Sequence, residues 1–88
     1  MARFDSAGTE YSGMANPENV ENIFEMGLMY ASGRNGEQDL VAAHKWFNIA
    51  AYRGFEPAKI QRAELSNEMT REQIAAAQRA ARDWLSNH

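Results

Sequence analysis

The chain has 88 residues, a net charge of −3, a pI near 5.3 and no cysteine. Its length allows one domain. The acidic balance argues against nucleic-acid binding, which needs a basic face, and the lack of cysteine excludes disulfides and thiolate chemistry. No apolar run could span a bilayer and residues 1–15 lack the apolar core of a secretory signal, so we expect a cytoplasmic protein without membrane contact.

Charge is divided unevenly along the chain. Residues 1–43 contain two arginines against seven acids, whereas residues 44–88 contain seven lysines or arginines against five acids. This division predicts a dipolar molecule, with solvated charged faces as its simplest explanation.

The first predicted helix covers residues 17–32. Residues 1–15, rich in small polar residues, are predicted to be a flexible leader, and the domain is expected to fill residues 16–88. Asn16 and Pro17 are predicted as the cap and the first helical residue. Apolar and small residues then recur at the helical spacings i, i+3, i+4, i+7, i+8 and i+11. They are Val20, Ile23, Phe24, Gly27, Leu28 and Ala31.

The second predicted helix, over residues 40–53, is apolar on two sides. Asp39 is predicted to cap it and Gly54 to follow its end. A helix with apolar residues around so much of its circumference must be covered on more than one side. We therefore expect it at the centre of the domain, with Trp46 and Phe47 shielded from water. The two stripes are Leu40, Ala43, His44, Phe47, Ala50 and Ala51, and Ala42, Trp46 and Ile49.

Two further helices are predicted over residues 57–68 and 71–86, the latter begun by a Thr70–Gln73 capping box. Apolar positions 40, 43, 47, 50 and 51 recur as 74, 77, 81, 84 and 85, a displacement of 34 residues. A period of this length is typical of helical repeats. The sequence therefore predicts an all-α fold, a short α-α superhelix of about four antiparallel helices in two helix-turn-helix units.

Small and aromatic residues between positions 26 and 58 follow the spacings of one known pattern. They are Gly27, Tyr30, Gly33, Asp39, Ala43, Trp46, Phe47, Ala50, Ala51, Gly54 and Ala58. The pattern resembles the Sel-one-like repeat family, which is related to tetratricopeptide repeats. The second unit departs from it, since Arg62-Ala63 replace the next Leu-Gly and Ala80 stands at the tryptophan position. The resemblance implies one clear repeat followed by a degenerate one, with Gly27 allowing close approach of the first two helices.

The resemblance implies a non-enzymatic protein–protein interaction module, an adaptor or regulatory subunit, with a protein partner and no cofactor. Homodimerisation is a further possibility, because arrays usually need about three repeats to be stable alone. We predict the docking face on the first helix, where Met29 projects opposite the apolar stripe and methionine suits adaptable surfaces. The candidate partner-binding residues are Asn22, Glu25, Met26 and Met29.

A small hydrolase is the alternative, since some relatives of the family are associated with β-lactam hydrolysis. Those relatives are cysteine-rich, unlike this chain, and no nucleophile–base pair is evident from its sequence. Ser32, Ser66 and Thr70 lie at predicted helix ends, where capping explains them. A zinc site at His44 would need three or four ligands, so we expect neither a metal nor a catalytic residue.

Overall fold

The computed structural model describes residues 19–34 and 36–87. Four α-helices follow one another: α1 (Val20–Ser32), α2 (Leu40–Tyr52), α3 (Glu56–Ser66) and α4 (Arg71–Asn87). No strand occurs within these two ranges. The all-α class and the four predicted helices are therefore confirmed. The predicted leader, residues 1–15, lies outside the described residues.

Helix α1 begins three residues later than predicted. Asn19 has extended backbone angles (φ −90°, ψ 111°), and its side-chain oxygen accepts hydrogen bonds from the backbone N–H groups of Glu21 and Asn22 at 2.9 and 3.1 Å. Asn19 is thus the N-cap, which corrects the predicted start at residue 17; Asn16 and Pro17 themselves lie outside the described residues.

The other helix ends follow from local signals. Asp39 accepts the Ala42 N–H at 3.0 Å, and Gly54 adopts φ 87° after α2. Thr70 and Gln73 form the predicted capping box, with reciprocal side-chain to backbone hydrogen bonds of 2.9 and 3.1 Å. Helix α3 ends at Ser66 rather than at 68, because Asn67 closes its last turn.

Helix α2 lies at the centre and packs against each of the other three helices, as predicted. Its buried residues belong to two clusters that reach different neighbours. One cluster joins α2 to all three helices, and the other joins it to α3, with α1 side chains packed against it. The first contains Ile23, Ile49, Ala50, Ala51, Ala58 and Ala81, and the second Ala43, Phe47 and Leu65.

Helices α3 and α4 do not form a second hairpin like that of α1 and α2. Close helix packing joins α2 to α1, to α3 and to α4, and the contact between α3 and α4 is slight. The buried residues of α4 are the small Ala77 and Ala81, which allow a close approach to α2. The predicted second helix-turn-helix unit is therefore open, meaning that α3 and α4 each pack on α2 and make only slight contact with each other.

Trp46 is less shielded than predicted. Phe47 is completely buried, whereas Trp46 and Tyr30 are half-buried. The Trp46 indole packs edge-on against that of Trp84, with ring centroids 5.7 Å apart at 76°. The Lys45 ammonium lies 4.2 Å from the Trp46 ring centroid. The two indoles thus cover each other at the margin of the α2–α4 interface instead of lying inside it.

Gly27 allows α1 to approach α2 closely in the domain core. A methyl group at this position would lie 2.5 Å from Cε1 and 2.6 Å from Cδ1 of Phe47, well inside van der Waals contact. The role that the repeat pattern implied for Gly27 is therefore visible in the packing of α1 on α2.

We expect Gly27→Ala to lower the free energy of unfolding, because the buried Phe47 ring must shift to admit a methyl group, at a steric cost of about 1–3 kcal/mol. A gain of about 1 kcal/mol in helix propensity offsets part of this cost, so the net loss should reach about 2 kcal/mol. Urea denaturation measures the free energy of unfolding of the variant. Ala63→Gly, at an exposed position of α3, measures the helix-propensity difference between alanine and glycine without a packing change. Adding Phe47→Leu should cost less in the Gly27→Ala background than alone, and an unchanged or stabilised single variant would contradict the packing argument.

Candidate functional site

The predicted docking residues share the outer part of α1. Glu25 is exposed and forms an ion pair with Arg34 at 3.5 Å, whereas Asn22, Met26 and Met29 are half-buried. Neither methionine belongs to a core cluster. The structure thus brings these side chains to one helix, with less methionine surface exposed than the sequence suggested. A partner on this face stays a prediction.

A buried polar network around His44 was not found from the sequence. The His44 side chain is 1% exposed. Its Nε2 lies 2.9 Å from Ser66 Oγ, and its Nδ1 lies 2.9 Å from Asn48 Nδ2. The Asn48 oxygen accepts a hydrogen bond from Arg62 Nη1 at 3.0 Å, and Ser66 Oγ donates to the Arg62 carbonyl at 2.9 Å. The sequence contained a sign of this network: polar residues spaced i, i+4 on each of two neighbouring helices, His44 and Asn48 on α2 and Arg62 and Ser66 on α3.

Arg62 determines the protonation of His44 through this network. A guanidinium has only donors, so the Asn48 oxygen must face it and the Asn48 NH₂ must face His44 Nδ1. Nδ1 is therefore the acceptor. The Ser66 hydroxyl donates its only proton to the Arg62 carbonyl, so His44 Nε2–H must donate to Ser66 Oγ. The network is fully paired only when His44 is neutral and carries its proton on Nε2.

The electrostatic surroundings act in the same direction. Burial lowers the pKa of His44 below its usual 6.5, and the positive charge of Arg62 lowers that pKa further. His44 is therefore neutral at physiological pH, as the hydrogen bonds require.

Ser66 and His44 lie at the separation of a nucleophile and its base, 2.9 Å, a proximity that the sequence did not predict. Their hydrogen bond has the opposite polarity, however, because the histidine donates and the serine accepts. Catalytic pairs also place an acceptor, usually a carboxylate, at Nδ1, whereas Asn48 places a donor there. Capping was predicted to explain Ser66, but its hydroxyl instead connects α3 to α2 through the hydrogen bond with His44.

We expect the free energy of unfolding to fall as the pH drops from about 7 toward 5. The unfolded chain takes up a proton at His44 near pH 6.5, and the folded chain resists uptake to lower pH. The unfolded state therefore binds more protons in this range, so acid favours unfolding. Urea titrations at several pH values measure the slope, and His44→Gln should flatten it. An equal slope in that variant would contradict the assignment.

A cleft of about 440 Å³ separates α3 from α4 and has α2 as its floor. We call it the α3–α4 cleft. Three of its nine lining residues are cationic and none is acidic, although the chain as a whole is acidic. The Tyr52 side chain, at its edge, is 77% exposed. The lining residues are Asn48, Ala51, Tyr52, Lys59, Arg62, Gln78, Ala81, Arg82 and Leu85.

No family model, curated protein or solved structure matches this chain. The resemblance to Sel-one-like repeats therefore rests on the residues between 26 and 58 that carry it. Within the described ranges no helix has the length and apolar character needed to cross a membrane. In the same part of the chain, no three histidine, aspartate or glutamate side chains are grouped as metal ligands.

Proposed function

We propose that the chain is a non-enzymatic protein-interaction module, an adaptor or regulatory subunit built on a Sel-one-like helical repeat. The observation that carries this proposal is the α3–α4 cleft, which combines an exposed tyrosine with two arginines above an apolar floor. Tyrosine and arginine are among the residues that contribute most to protein–protein binding.

The open second unit supports the same function. In an array of helical repeats, each helix pair is covered by the next pair. Among the helices of residues 19–34 and 36–87, α3 and α4 each pack closely on α2 and on no other helix, which leaves the rest of their surfaces to a partner protein or a second copy of the chain. The small residues Ala50, Ala51 and Ala58, which belong to the repeat pattern, are buried where the helices approach one another.

The second candidate function, a small hydrolase, is favoured by one observation, the 2.9 Å separation of His44 and Ser66. The polarity of that hydrogen bond, the burial of His44 and the lowered pKa of its imidazole all oppose activation of Ser66. A base must accept the serine proton, and here Ser66 directs it to the Arg62 carbonyl. We therefore rank this candidate below the interaction module.

We expect no Ser66-dependent hydrolysis of p-nitrophenyl acetate or of a chromogenic cephalosporin. Stopped-flow absorbance should show no burst, and Ser66→Ala should leave the slow background rate unchanged because Ser66 is not activated. Circular dichroism of the variant serves as the folding control. A burst of about one product per chain that Ser66→Ala abolishes would overturn the non-enzymatic assignment.

We expect Tyr52→Ala to remove a specific protein from crosslinked affinity purifications made with the full chain in lysate of the source cells. Ile60→Ala is the matched control, because Ile60 is also a large exposed apolar residue, 58% exposed, outside the cleft. Quantitative mass spectrometry compares the captured proteins.

Met29→Glu, measured in parallel, tests the predicted α1 face. Loss of a captured protein in Met29→Glu but not in Tyr52→Ala would place the docking face on α1 and would still support the interaction function. Absence of any protein that depends on either residue, together with a monomeric sedimentation profile, would contradict that function.

A further inference from the structure

We infer that the α3–α4 cleft binds an acidic, extended segment of a protein partner, with glutamate or aspartate carboxylates on its arginines and an apolar side chain against Tyr52 and Leu85. This inference rests on the proposed interaction function and adds the chemistry of the ligand. Several independent features of the cleft support it.

The first feature is uncompensated positive charge. Lys59, Arg62 and Arg82 all line the cleft, and no acidic residue does. Arg82 forms no ion pair with any described residue. Lys59 does pair with Glu56 at 3.0 Å, but the two side chains are 44% and 74% exposed, and exposed pairs contribute little. A ligand carboxylate can therefore bind the guanidinium groups of Arg62 and Arg82, and it can replace Glu56 as the partner of the Lys59 ammonium.

The second feature is the preorganisation of Arg62. Its Nη1 is held by the Asn48 oxygen, and Asn48 is held by the buried His44. A fixed guanidinium loses less side-chain entropy on binding than a mobile one, and its planar fork matches a carboxylate. Because Asn48 uses one N–H, the other donors of Arg62 remain for a ligand.

The third feature is the shape of the cleft and the nature of its walls. Ala51 of α2 is the apolar floor, Ala81 and Leu85 of α4 are apolar parts of one wall, and the exposed Tyr52, Lys59, Gln78 and Arg82 mark the open side. A volume of about 440 Å³ lies within the usual range for ligand sites and holds a few side chains. A chain segment laid across the opening fits this shape, and the Gln78 amide can hydrogen-bond to its backbone.

The overall charge favours a short acidic peptide over a nucleic acid. A polyanion needs a basic face that follows many phosphates, whereas this chain has a net charge of −3. At physiological salt, the field of the cleft charges is screened over about 8 Å. It therefore attracts only the few carboxylates that lie within that distance. The positive cleft on an acidic molecule thus selects for short segments.

The test uses the full chain and a blocked hexapeptide of alternating glutamate and leucine, titrated by NMR in 50 mM salt. We expect shifts at the cleft residues, and none with the glutamine–leucine peptide. Arg82→Gln should weaken binding by about two- to five-fold, the effect of one partly exposed charge pair. Arg79→Gln, the same charge change on an exposed position of α4 outside the cleft, should not. Glu56→Gln should strengthen binding, because it releases Lys59.

Equal effects of Arg79→Gln and Arg82→Gln, or equal binding of the glutamine peptide, would overturn the inference. So would tighter Arg82-dependent binding of oligothymidylate or inorganic phosphate than of the glutamate peptide. If the peptide fails while Tyr52→Ala still removes a captured protein, the interaction function stands and only the acidic ligand is wrong. If both fail, the interaction function is lost as well.

Discussion

The structure depends on the burial of one thirteen-residue helix by three others. Helix α2 carries apolar or small residues on so many sides that only α1, α3 and α4 together can cover it. The contact of Gly27 with the Phe47 ring brings α1 near enough to do so, and alanines bring α4 near. Since α3 and α4 are both used to cover α2, they are not free to pack on each other, and the cleft between them is the result.

The His44 network connects this core to the surface. Its two anchors, Asn48 and Ser66, lie on different helices, and its outermost member, Arg62, lines the cleft. A buried polar residue is tolerated when each of its hydrogen-bonding atoms has a partner, and both ring nitrogens of His44 do. The same bonds that satisfy the histidine therefore hold a cleft arginine in place, so packing and recognition share one set of contacts.

Sequence reasoning succeeded where a local signal decides the structure. The capping box at Thr70, the left-handed Gly54 after α2 and the two-sided stripe of α2 each depend on neighbouring residues. It placed the start of α1 too early because Asn16 and Asn19 are both competent caps, and Pro17 favoured the earlier one. The hydrogen bonds of Asn19 decide between them.

The cleft and the network could not be predicted in the same way. Whether Arg62 meets Asn48 depends on the rotation of α3 against α2, which no single helix pattern reports. The spacing of 34 residues suggested that α3 and α4 would pair as α1 and α2 do, and tertiary packing prevailed over that symmetry. The uneven division of charge between the two halves of the chain was the one visible sign of a cationic site.

The arrangement around α2 also has a consequence for cooperativity. In a linear array, neighbouring units hold one another, so an end can melt while the rest persists. Here each peripheral helix packs mainly on the same central one, and within the described residues no two peripheral helices pack closely on each other. Disruption of α2 withdraws support from the whole assembly at once, so the domain should gain and lose its structure as a single two-state unit in spite of its repeat-like sequence.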